Sequence, residues 1–350
     1  MYKVLMTSDY NSQNTYVKSI VDEIKGEFII QCDTTNFWSK EEKFDIIHIQ
    51  WVEELLGWYN YDLKDIKKLE LQLNVWKSKG SKIVMTLHNE LPHVDNILNN
   101  ILYSTVYKYL DVVIHLGNYS YKYLKVTNKD IVIPHVNYYK DSIVIPNKKA
   151  KQYISIPSDT FLFLSFGKIR DIAEEKQIIK AFKKVRAKND LLLILGTKIL
   201  GKRPQFKKNP IKRITYELKK QYYLKKGIYF EKNRIYKDKL KYYLNAADVV
   251  ICPRIKTLNS GVIYQGFSYG KVVLGPDIGN IGSILKTMKN PVFKPKDSVS
   301  IQNALTKAKY LSKKTNKGEL NLQTTLKENN SKKIGLQHCN LYKSILLNLC

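Results

Sequence analysis

Short apolar runs alternate with amphipathic stretches along most of the chain, and this alternation limits the fold more than any other feature. In the first half the predicted strands are 3–7, 28–31, 46–50, 82–87, 112–116 and 131–133, with helical patterns between several of them. In the second half they are 161–166, 191–195, 227–230, 249–252 and 271–275. Such alternation favours parallel sheets covered by helices on both faces. We therefore expect an α/β chain of two tandem Rossmann-like domains, with a cleft at the carboxyl ends of their strands.

The length of the chain, 350 residues, is ample for two domains with separate cores. We predict a first domain at 1–148 and a second at 149–306. A stretch with proline, lysine and serine, 146–158, is interpreted as the linker between them. The segment 307–350 is lysine-rich and becomes apolar near its end, so we expect a basic tail, or helices that pack back on the first domain.

Positive charge is concentrated in the second half of the chain. Residues 1–148 carry 17 Lys against 18 acidic residues, a net charge of −1, whereas 149–350 carry 42 Lys and Arg against 13, a net charge of +29. The segment 198–226 alone holds 11 basic residues and one acid, Glu217, with Tyr216, Tyr222 and Tyr223 between them. This imbalance predicts anionic partners: phosphates, an acidic lipid surface or nucleic acid. A solvated helix face is the other interpretation of the segment.

Several protein classes do not fit this sequence. No apolar run approaches the roughly 18 residues of a membrane span, and the first residues become polar too soon for a secretory signal. The four cysteines are scattered, without the spacing of a zinc site or a disulfide framework; they are Cys32, Cys252, Cys339 and Cys350. We expect a cytoplasmic protein, with peripheral association at the inner face of a membrane as an option.

One block of the second half has the pattern helix, strand, short loop, helix, strand. It runs from Leu244 to Gly279, and its loop holds Asn259, Ser260 and Gly261. Asn259 or Ser260 is suited to cap the following helix, and Gly261 lets a ligand approach the backbone. The N-terminal end of a helix is an anion site suited to a diphosphate. An ordinary capped helix is the alternative.

The block from Asn245 to Gly279 resembles the donor-site signature of GT-B glycosyltransferases, family 4 in particular. Other motifs agree with this resemblance, and together they cover most of residues 1–285; they are 14–16, 45–51, 86–93, 133–138, 166–170 and 181–182. The resemblance implies a hexosyltransferase of cell-surface polysaccharide synthesis. The first domain would bind a glycan or lipid-linked acceptor, and the second a nucleotide-sugar donor. The donor is a co-substrate, so no other cofactor is expected, and enzymes of this fold generally need no metal ion.

The resemblance and the charges of the second domain indicate which residues bind the donor. For the diphosphate and the sugar we expect Gly167, Lys168, Arg170, Lys176, Arg254, Asn259, Ser260, Gly261 and Gln265. For the nucleoside we expect Asn233, Arg234 and Ile235, which follow a predicted strand. Positive side chains and a helix end would stabilise the charge that develops on the leaving diphosphate.

Residues at strand ends of the first domain are candidates for catalysis and acceptor binding. His88 follows a predicted strand, and an imidazole can donate to a sugar hydroxyl near neutral pH. Glu53 or Glu54 could take a proton from the acceptor hydroxyl if the reaction inverts the anomeric carbon. A structural histidine and a helix-start acid pair are the alternatives. Asp9, Asn14 and His93 are expected to contact the acceptor.

Two departures from the family pattern keep other functions open. Many members carry two glutamates around the Ser-Gly turn, where this chain has Thr257 and Gln265, and Ile172-Ala173-Glu174 replaces a Tyr-Lys-Gly motif. A non-catalytic binder of nucleotide sugars or glycans on the same fold is therefore the first alternative. A basic nucleic-acid-binding protein is the second alternative. No recognised nucleic-acid motif supports it, and we expect no nucleic acid as a partner.

Overall fold

The computed structural model describes residues 1–12, 14–58, 60–90, 96–139, 142–201, 209–231, 235 and 237–348. They form two compact units. Unit 1 consists of Met1–Val136, Thr257–Asn259 and Glu328–Cys350, and unit 2 of Asn137–Lys256 and Ser260–Lys327. The first division lies after Val136, ahead of the predicted boundary at 148.

Unit 1 is built on a parallel sheet of six strands in the order β2-β1-β3-β4-β5-β6. The strands are β1 Lys3–Met6, β2 Ile29–Cys32, β3 Ile46–Ile49, β4 Lys82–Leu87, β5 Val112–His115 and β6 Ile131–Val132. All residues of β3 and β5 are buried, as expected for central parallel strands covered on both faces. The strand order changes direction between β1 and β3, because β2 lies on one side of β1 and β3 to β6 follow on the other. The loops after β1 and β3 therefore diverge at that point.

In the described part of unit 1, six helices and a short 3-10 turn at Asn36–Trp38 surround this sheet. The helices are α1 Tyr16–Ile24, α2 Val52–Leu55, α3 Leu63–Ser78, α4 Asn99–Tyr107, α5 Asn118–Tyr123 and α14 Ser331–Leu346. Helix α3 begins with a capping box: Asp62 accepts hydrogen bonds from the backbone N–H groups of Lys64 and Asp65, and Asp65 accepts one from Asp62.

The C-terminal helix α14 belongs to the core of unit 1. It packs along α1 at Gly335, where a Cβ atom would lie 2.4 Å from Cβ of Glu23, so only glycine permits this approach. Ile334, Leu341 and Tyr342 are buried in the same apolar cluster as Val17 and Ile20 of α1. Residues far apart in sequence therefore complete one core.

Unit 2 is built on a second parallel sheet, in the order β12-β11-β10-β7-β8-β9. Its strands are β7 Phe161–Ser165, β8 Asp190–Leu195, β9 Ile228–Glu231, β10 Val249–Ile251, β11 Val272–Pro276 and β12 Val292–Phe293. Counted from β7, this is the strand order of the dinucleotide-binding Rossmann fold, whose direction changes between its first and fourth strands, here β7 and β10.

The helices around this sheet differ from expectation at two places, the proposed linker and the boundary at 306/307. The helices are α6 Asn147–Tyr153, α7 Ile172–Val185, α8 Pro210–Lys225, α9 Lys237–Ala246, α10 Gly261–Ser268, α11 Gly279–Thr287, α12 Ser298–Lys314 and α13 Lys317–Glu328. The proposed linker 146–158 contains α6, whose Tyr153 ring stacks on Tyr242 of α9 at 3.6 Å. The boundary at 306/307 falls inside α12, which packs on the sheet through Leu305 and Ala308. The basic segment contains α8.

The expected fold class, α/β with two Rossmann-like domains, is confirmed by the two parallel sheets and their helices. Among the described residues, no helix has both the length and the apolar character needed to span a bilayer.

Candidate functional site

The loops after β7 and β10 meet where the unit 2 sheet changes direction. Gly167 follows β7 with a φ of +103°, which side chains rarely tolerate. A Cβ atom there would lie 3.2 Å from Cγ2 of Val262, in the first turn of α10, and 3.3 Å from Nη2 of Arg254, after β10. Glycine therefore lets the β7 loop pass close to both. A strand edge of this kind is where open α/β sheets bind ligands.

Helix α10 begins at this edge with residues that are half-buried, Ser260 and Gly261. Ser260 is its N-cap in an extended conformation, and its side chain makes no capping hydrogen bond. Its first turn contains no acidic residue. The first N–H groups of a helix have no acceptor within the helix, and the dipole adds partial positive charge, so this end favours an anion. At the other end, Gly270 and Lys271 donate their N–H groups to the carbonyls of Phe267 and Gly266, and the positive φ of Gly270 ends the helix.

Arg254 is held in a buried ion pair. Its Nη1 donates to Oε2 of Glu174 at 2.9 Å and to the carbonyl of Lys168 at 2.6 Å. The Arg254 and Glu174 side chains are only 7% and 3% exposed. The same Glu174 oxygen accepts from the backbone N–H of Arg170 at 2.9 Å. Glu174 therefore ties the loop after β7 to the loop after β10, and it neutralises Arg254, one of the four cationic side chains that the sequence assigned to a diphosphate.

A second buried carboxylate, Glu175, positions the loop after β8. It accepts hydrogen bonds from Oγ1 of Thr197 at 2.8 Å and from the backbone N–H groups of Lys198 and Ile199 at 2.5 and 3.1 Å. Nζ of Lys198 in turn donates to the carbonyl of Arg170. Neither Glu174 nor Glu175 was among the predicted site residues. Their signal was an Asp-x-x-Glu-Glu pattern at a helix start, which Asp171 opens as N-cap of α7.

The other predicted donor residues differ in exposure. Lys168 and Lys176 are exposed, whereas Arg170, Ser260, Gly261 and Gln265 are half-buried. The structure therefore brings Gly167, Lys168, Arg170, Arg254 and the start of α10 to one sheet edge. Asn259 belongs to unit 1, where its Nδ2 donates to the carbonyls of Leu87 and His88 at 3.1 and 2.9 Å.

The predicted nucleoside site is described only in part. Ile235 is half-buried and packs on the margin of the unit 2 core. Asn233 and Arg234 lie outside the described residues, as does His93 in unit 1.

In unit 1, polar side chains gather where β1 and β3 diverge. Ser8, after β1, donates through Oγ to Oε1 of Glu54, after β3, at 3.3 Å. The other oxygen of Glu54, Oε2, is buried and has no hydrogen-bond partner among the described residues. The pKa of Glu54 is raised to about 7. Burial is the main cause, the Ser8 hydrogen bond opposes it, and the charges of Glu53 and Asp9 add to it. A carboxyl group with this pKa can exchange protons near neutral pH.

Glu53 occupies a different environment from its neighbour. It is 1% exposed and accepts a hydrogen bond from the Tyr103 hydroxyl at 3.2 Å. Burial, together with the charge of Glu53, raises the pKa of Tyr103. Glu53 therefore links α2 to α4 in the interior, and Glu54 is the glutamate of the pair that borders the strand ends.

His88 lies beside this cluster, at the end of β4. Its Nε2 is 3.1 Å from Oε1 of the buried Gln50, and its ring stacks on Trp51 with a centroid distance of 4.1 Å and an angle of 18°. Tyr16 packs against the ring edge at 5.1 Å. These contacts fix the position of the imidazole, which is 9% exposed. The adjacent Asn89 has a buried Nδ2 without a partner in the described part of the chain. Gln50 and Asn89 were not among the predicted site residues.

The predicted acceptor residues lie near the same strand ends. Asp9 is exposed and accepts a hydrogen bond from the backbone N–H of Asn11 at 2.9 Å. Asn14 is exposed, and its Oδ1 accepts from the backbone N–H of Tyr16 at 3.2 Å, at the start of α1. In the described residues, no three His, Cys, Asp or Glu side chains are grouped as a metal site requires.

Solved structures with this fold include three that are similar over nearly the whole chain. Sucrose-phosphate synthase from Thermosynechococcus elongatus has a TM-score of 0.72 and 16% identity, covering 99% of this chain and 100% of that one. HepE from Anabaena in complex with UDP has a TM-score of 0.73 and 12% identity, covering 98% and 100%. A glycosyltransferase from Rickettsia africae has a TM-score of 0.66 and 16% identity, covering 99% and 98%.

No protein-family model matches the sequence, and neither does any curated protein. At these identities the structural likeness establishes the fold. It confirms the GT-B architecture that the sequence motifs implied.

Proposed function

We propose that this chain is a glycosyltransferase that moves a hexose from a nucleotide sugar, bound on unit 2, to a glycan or lipid-linked acceptor, bound on unit 1. The observation that carries the proposal is the convergence of Gly167, Arg254 and the start of α10 at the edge where the unit 2 sheet changes direction. The fold likeness supports it, because the similar HepE structures are complexes with UDP and with UDP-glucose.

In this proposal the diphosphate sits at the N-terminal end of α10. The N–H groups of the first turn donate to phosphate oxygens, and the tight Gly167 loop leaves space for them. Lys168, Arg170 and Lys176 supply positive charge, which a leaving diphosphate needs as its bond to the sugar breaks. Arg254 acts as a buried support because Glu174 already binds it. Thr257 and Gln265 take the places of the two family glutamates and would contact the sugar through neutral groups.

Glu54 is our candidate for the general base in unit 1. Its ionised form would accept the proton of an acceptor hydroxyl while that oxygen bonds to the anomeric carbon. The bond from that carbon to the diphosphate oxygen breaks, and the diphosphate leaves with the electron pair. This is an inverting displacement, and general-base assistance typically contributes about 10²–10⁴-fold to the rate. His88, held by Gln50 and Trp51, would orient a sugar hydroxyl, with Asp9, Asn14 and His93 contacting the acceptor.

Donor binding is tested by thermal unfolding with UDP-glucose, GDP-mannose and ADP-glucose. A ligand that binds only the folded protein raises Tm by mass action. We expect UDP-glucose to raise Tm and the Gly167→Ala variant to lose this shift, since a φ of +103° strains any side chain. Gly26→Ala is the matched control, because a Cβ atom there meets nothing within 4 Å. No shift with any nucleotide sugar would contradict the proposal.

Binding without turnover is the second candidate function. Two observations favour it: the neutral Thr257 and Gln265, and the neutralisation of Arg254 by Glu174. Release of UDP from UDP-glucose, followed by chromatography with and without mixed glycan acceptors, separates the two functions. Slow hydrolysis without acceptor supports the transferase, whereas saturable binding with no UDP release supports the binder.

The setting of the reaction is also proposed. The net charge of +29 over residues 149–350 would attract the protein to an anionic membrane surface, where lipid-linked acceptors of cell-surface polysaccharides are found. This corresponds to a cytoplasmic protein associated with the inner face of the membrane.

A further inference from the structure

Helix α8 carries an apolar stripe on its solvent-facing side. Ile211, Ile214, Leu218 and Tyr222 are 73%, 53%, 64% and 51% exposed. Their spacing of three or four residues places all four on one face of the helix. A surface helix of a globular protein normally turns its apolar side towards the core, so this stripe is the reverse of the usual arrangement.

The opposite face of α8 already satisfies the need for a core contact. Tyr216 is 8% exposed, and the Tyr223 ring packs edge-on against Phe230 of the edge strand β9, with a centroid distance of 5.1 Å. The helix is therefore anchored to unit 2 through this face, and the apolar stripe lies on the other face.

Basic residues are concentrated on and next to α8, and Lys212 and Lys225 are exposed beside the stripe. Helix α8 carries Lys212, Arg213, Lys219, Lys220 and Lys225 against a single acid, Glu217. The preceding residues 202–208 add four basic residues and no acid to the sequence. From α7, Nζ of Lys183 donates to the Tyr222 hydroxyl at 3.1 Å and lies 4.6 Å from the centre of its ring. An exposed apolar face bordered by lysines is the composition of a helix that lies in a membrane interface.

We propose that α8 is a membrane-docking helix, which inserts this stripe among the acyl chains of an anionic bilayer while its lysines contact the lipid phosphates. The charges select this occupant. A second copy of the chain would bring two strongly basic faces together, which like-charge repulsion opposes. Nucleic acid would use the lysines but would leave the aliphatic side chains in water. The inference rests on the membrane setting proposed above and is independent of sugar transfer.

Vesicle flotation tests the proposal with the full chain. The vesicles are pure phosphatidylcholine, or phosphatidylcholine with about 30% phosphatidylglycerol, at about 0.1 M and 0.5 M salt. The stripe variant is Ile211→Ser with Leu218→Ser. The matched control is Leu71→Ser with Leu336→Ser, which removes helical leucines that are 60% and 61% exposed elsewhere. Lys212→Gln with Lys225→Gln tests the charges.

We expect wild type to bind the anionic vesicles far more strongly than the neutral ones. The stripe variant should lose binding by about tenfold or more at both salt concentrations, since apolar burial is insensitive to salt. The lysine variant should lose about fivefold per lysine at the lower salt concentration and differ little from wild type at the higher one. The leucine control should bind like wild type.

Three results would overturn the proposal. The first is that wild type does not bind anionic vesicles, and the second is that the stripe variant and its leucine control lose vesicle binding equally. The third is that light scattering shows wild type to be a dimer and, of these variants, only the stripe variant to be a monomer. If wild type does not bind vesicles but forms a salt-sensitive complex with RNA, and the stripe variant forms it too, the ligand of α8 is nucleic acid rather than lipid. The Tm of each variant, and its shift with UDP-glucose, shows whether unit 2 is folded and binds donor. Failure of docking is thereby separated from failure of the proposed transfer activity.

Discussion

At the scale of single residues, two adjacent glutamates in unit 1 show how position decides chemistry. Glu53 points into the interior and is held by Tyr103. Glu54 lies at the strand ends, where its Oε2 has no hydrogen-bond partner within the described part of the chain and its pKa is raised to about 7. The sequence shows that both follow the same strand, but it does not show which of the two side chains faces the strand ends. The direction of each side chain depends on the four-residue helix α2.

The first prediction concerns Glu54→Gln. If Glu54 is the base, kcat/KM of wild type should rise with pH through about 7 as the carboxyl group ionises. The variant should have a kcat/KM that is about 10²–10⁴-fold lower and that no longer rises with pH in this range. Donor binding should be unchanged. Initial rates between pH 5 and 9 measure this, with the exposed Glu41→Gln as control. An unaltered rate or an unaltered pH profile would remove Glu54 from the mechanism.

The second prediction concerns the pair formed by Glu174 and Arg254. Glu174→Gln leaves a buried guanidinium without its counter-charge, so we expect a loss of about 3–5 kcal/mol in the free energy of unfolding. Adding Arg254→Met should recover most of it. Urea unfolding measures both. The exposed pair of Lys333 and Glu328 is the control, since Glu328→Gln should cost no more than about 1 kcal/mol. Equal effects at the two pairs would contradict this assignment.

At the scale of elements, the placement of α10 depends on close packing under its middle. A Cβ atom on Gly266 would lie 2.5 Å from Cγ2 of Val273 in β11 and 3.3 Å from Val250 in β10. Glycine therefore lets the helix lie directly on the two strands. This contact fixes where its N-terminal end, the proposed diphosphate site, lies relative to the sheet edge.

The third prediction follows from this contact. Gly266→Ala should displace α10, cost about 1–3 kcal/mol of unfolding free energy through overpacking, and reduce the Tm shift produced by UDP-glucose. Gly26→Ala should change neither quantity. Calorimetry with and without the nucleotide sugar provides both measurements. A destabilised variant with an undiminished nucleotide shift would show that the donor does not depend on α10.

Sequence periodicity located the central strands and α10 because buried parallel strands and capped helices have local signals. It failed where the signal was not local. The predicted linker 146–158 is polar enough to resemble a loop, but it contains α6, which packs on the unit 2 core through Ala150 and on α9 through Tyr153 and Tyr242. The predicted diphosphate ligand Arg254 is paired inward because Glu174, eighty positions earlier, accepts its hydrogen bond. Neither partner could be identified from spacing.

At the scale of the whole molecule, the histidines are unevenly distributed along the chain. Five of the six lie in residues 1–136, the sixth is His338, and residues 137–327 contain none. His48 and His338 are fully buried, and His135 is 6% exposed. Burial lowers the pKa of His135 and His338 to about 4 and that of His48 in the same direction. These side chains are neutral in the folded protein, and they gain protons when unit 1 unfolds in mild acid.

The fourth prediction is therefore an acid instability of unit 1. The histidines contribute their full stability above the unfolded pKa of about 6.5, and this contribution is lost as pH falls towards 4, because the unfolded chain then binds more protons. The contribution of Glu54 changes with pH in the opposite direction. Because its pKa is raised in the folded protein, its contribution to the free energy of unfolding falls as pH rises towards 7. In denaturant unfolding at pH 7.5 and 5, His338→Asn should lose less stability on acidification than wild type. An identical loss would contradict this cause.

The central claim is that a nucleotide-sugar diphosphate binds at the N-terminal end of α10 beside the Gly167 loop. Hydrogen exchange of the full chain with and without UDP-glucose, followed by mass spectrometry, tests it most directly. We predict slower exchange in peptides from 166–171 and 260–265, with little change in the C-terminal helix α14. Slower exchange confined to other segments, or no change at a concentration that saturates binding, would contradict the claim.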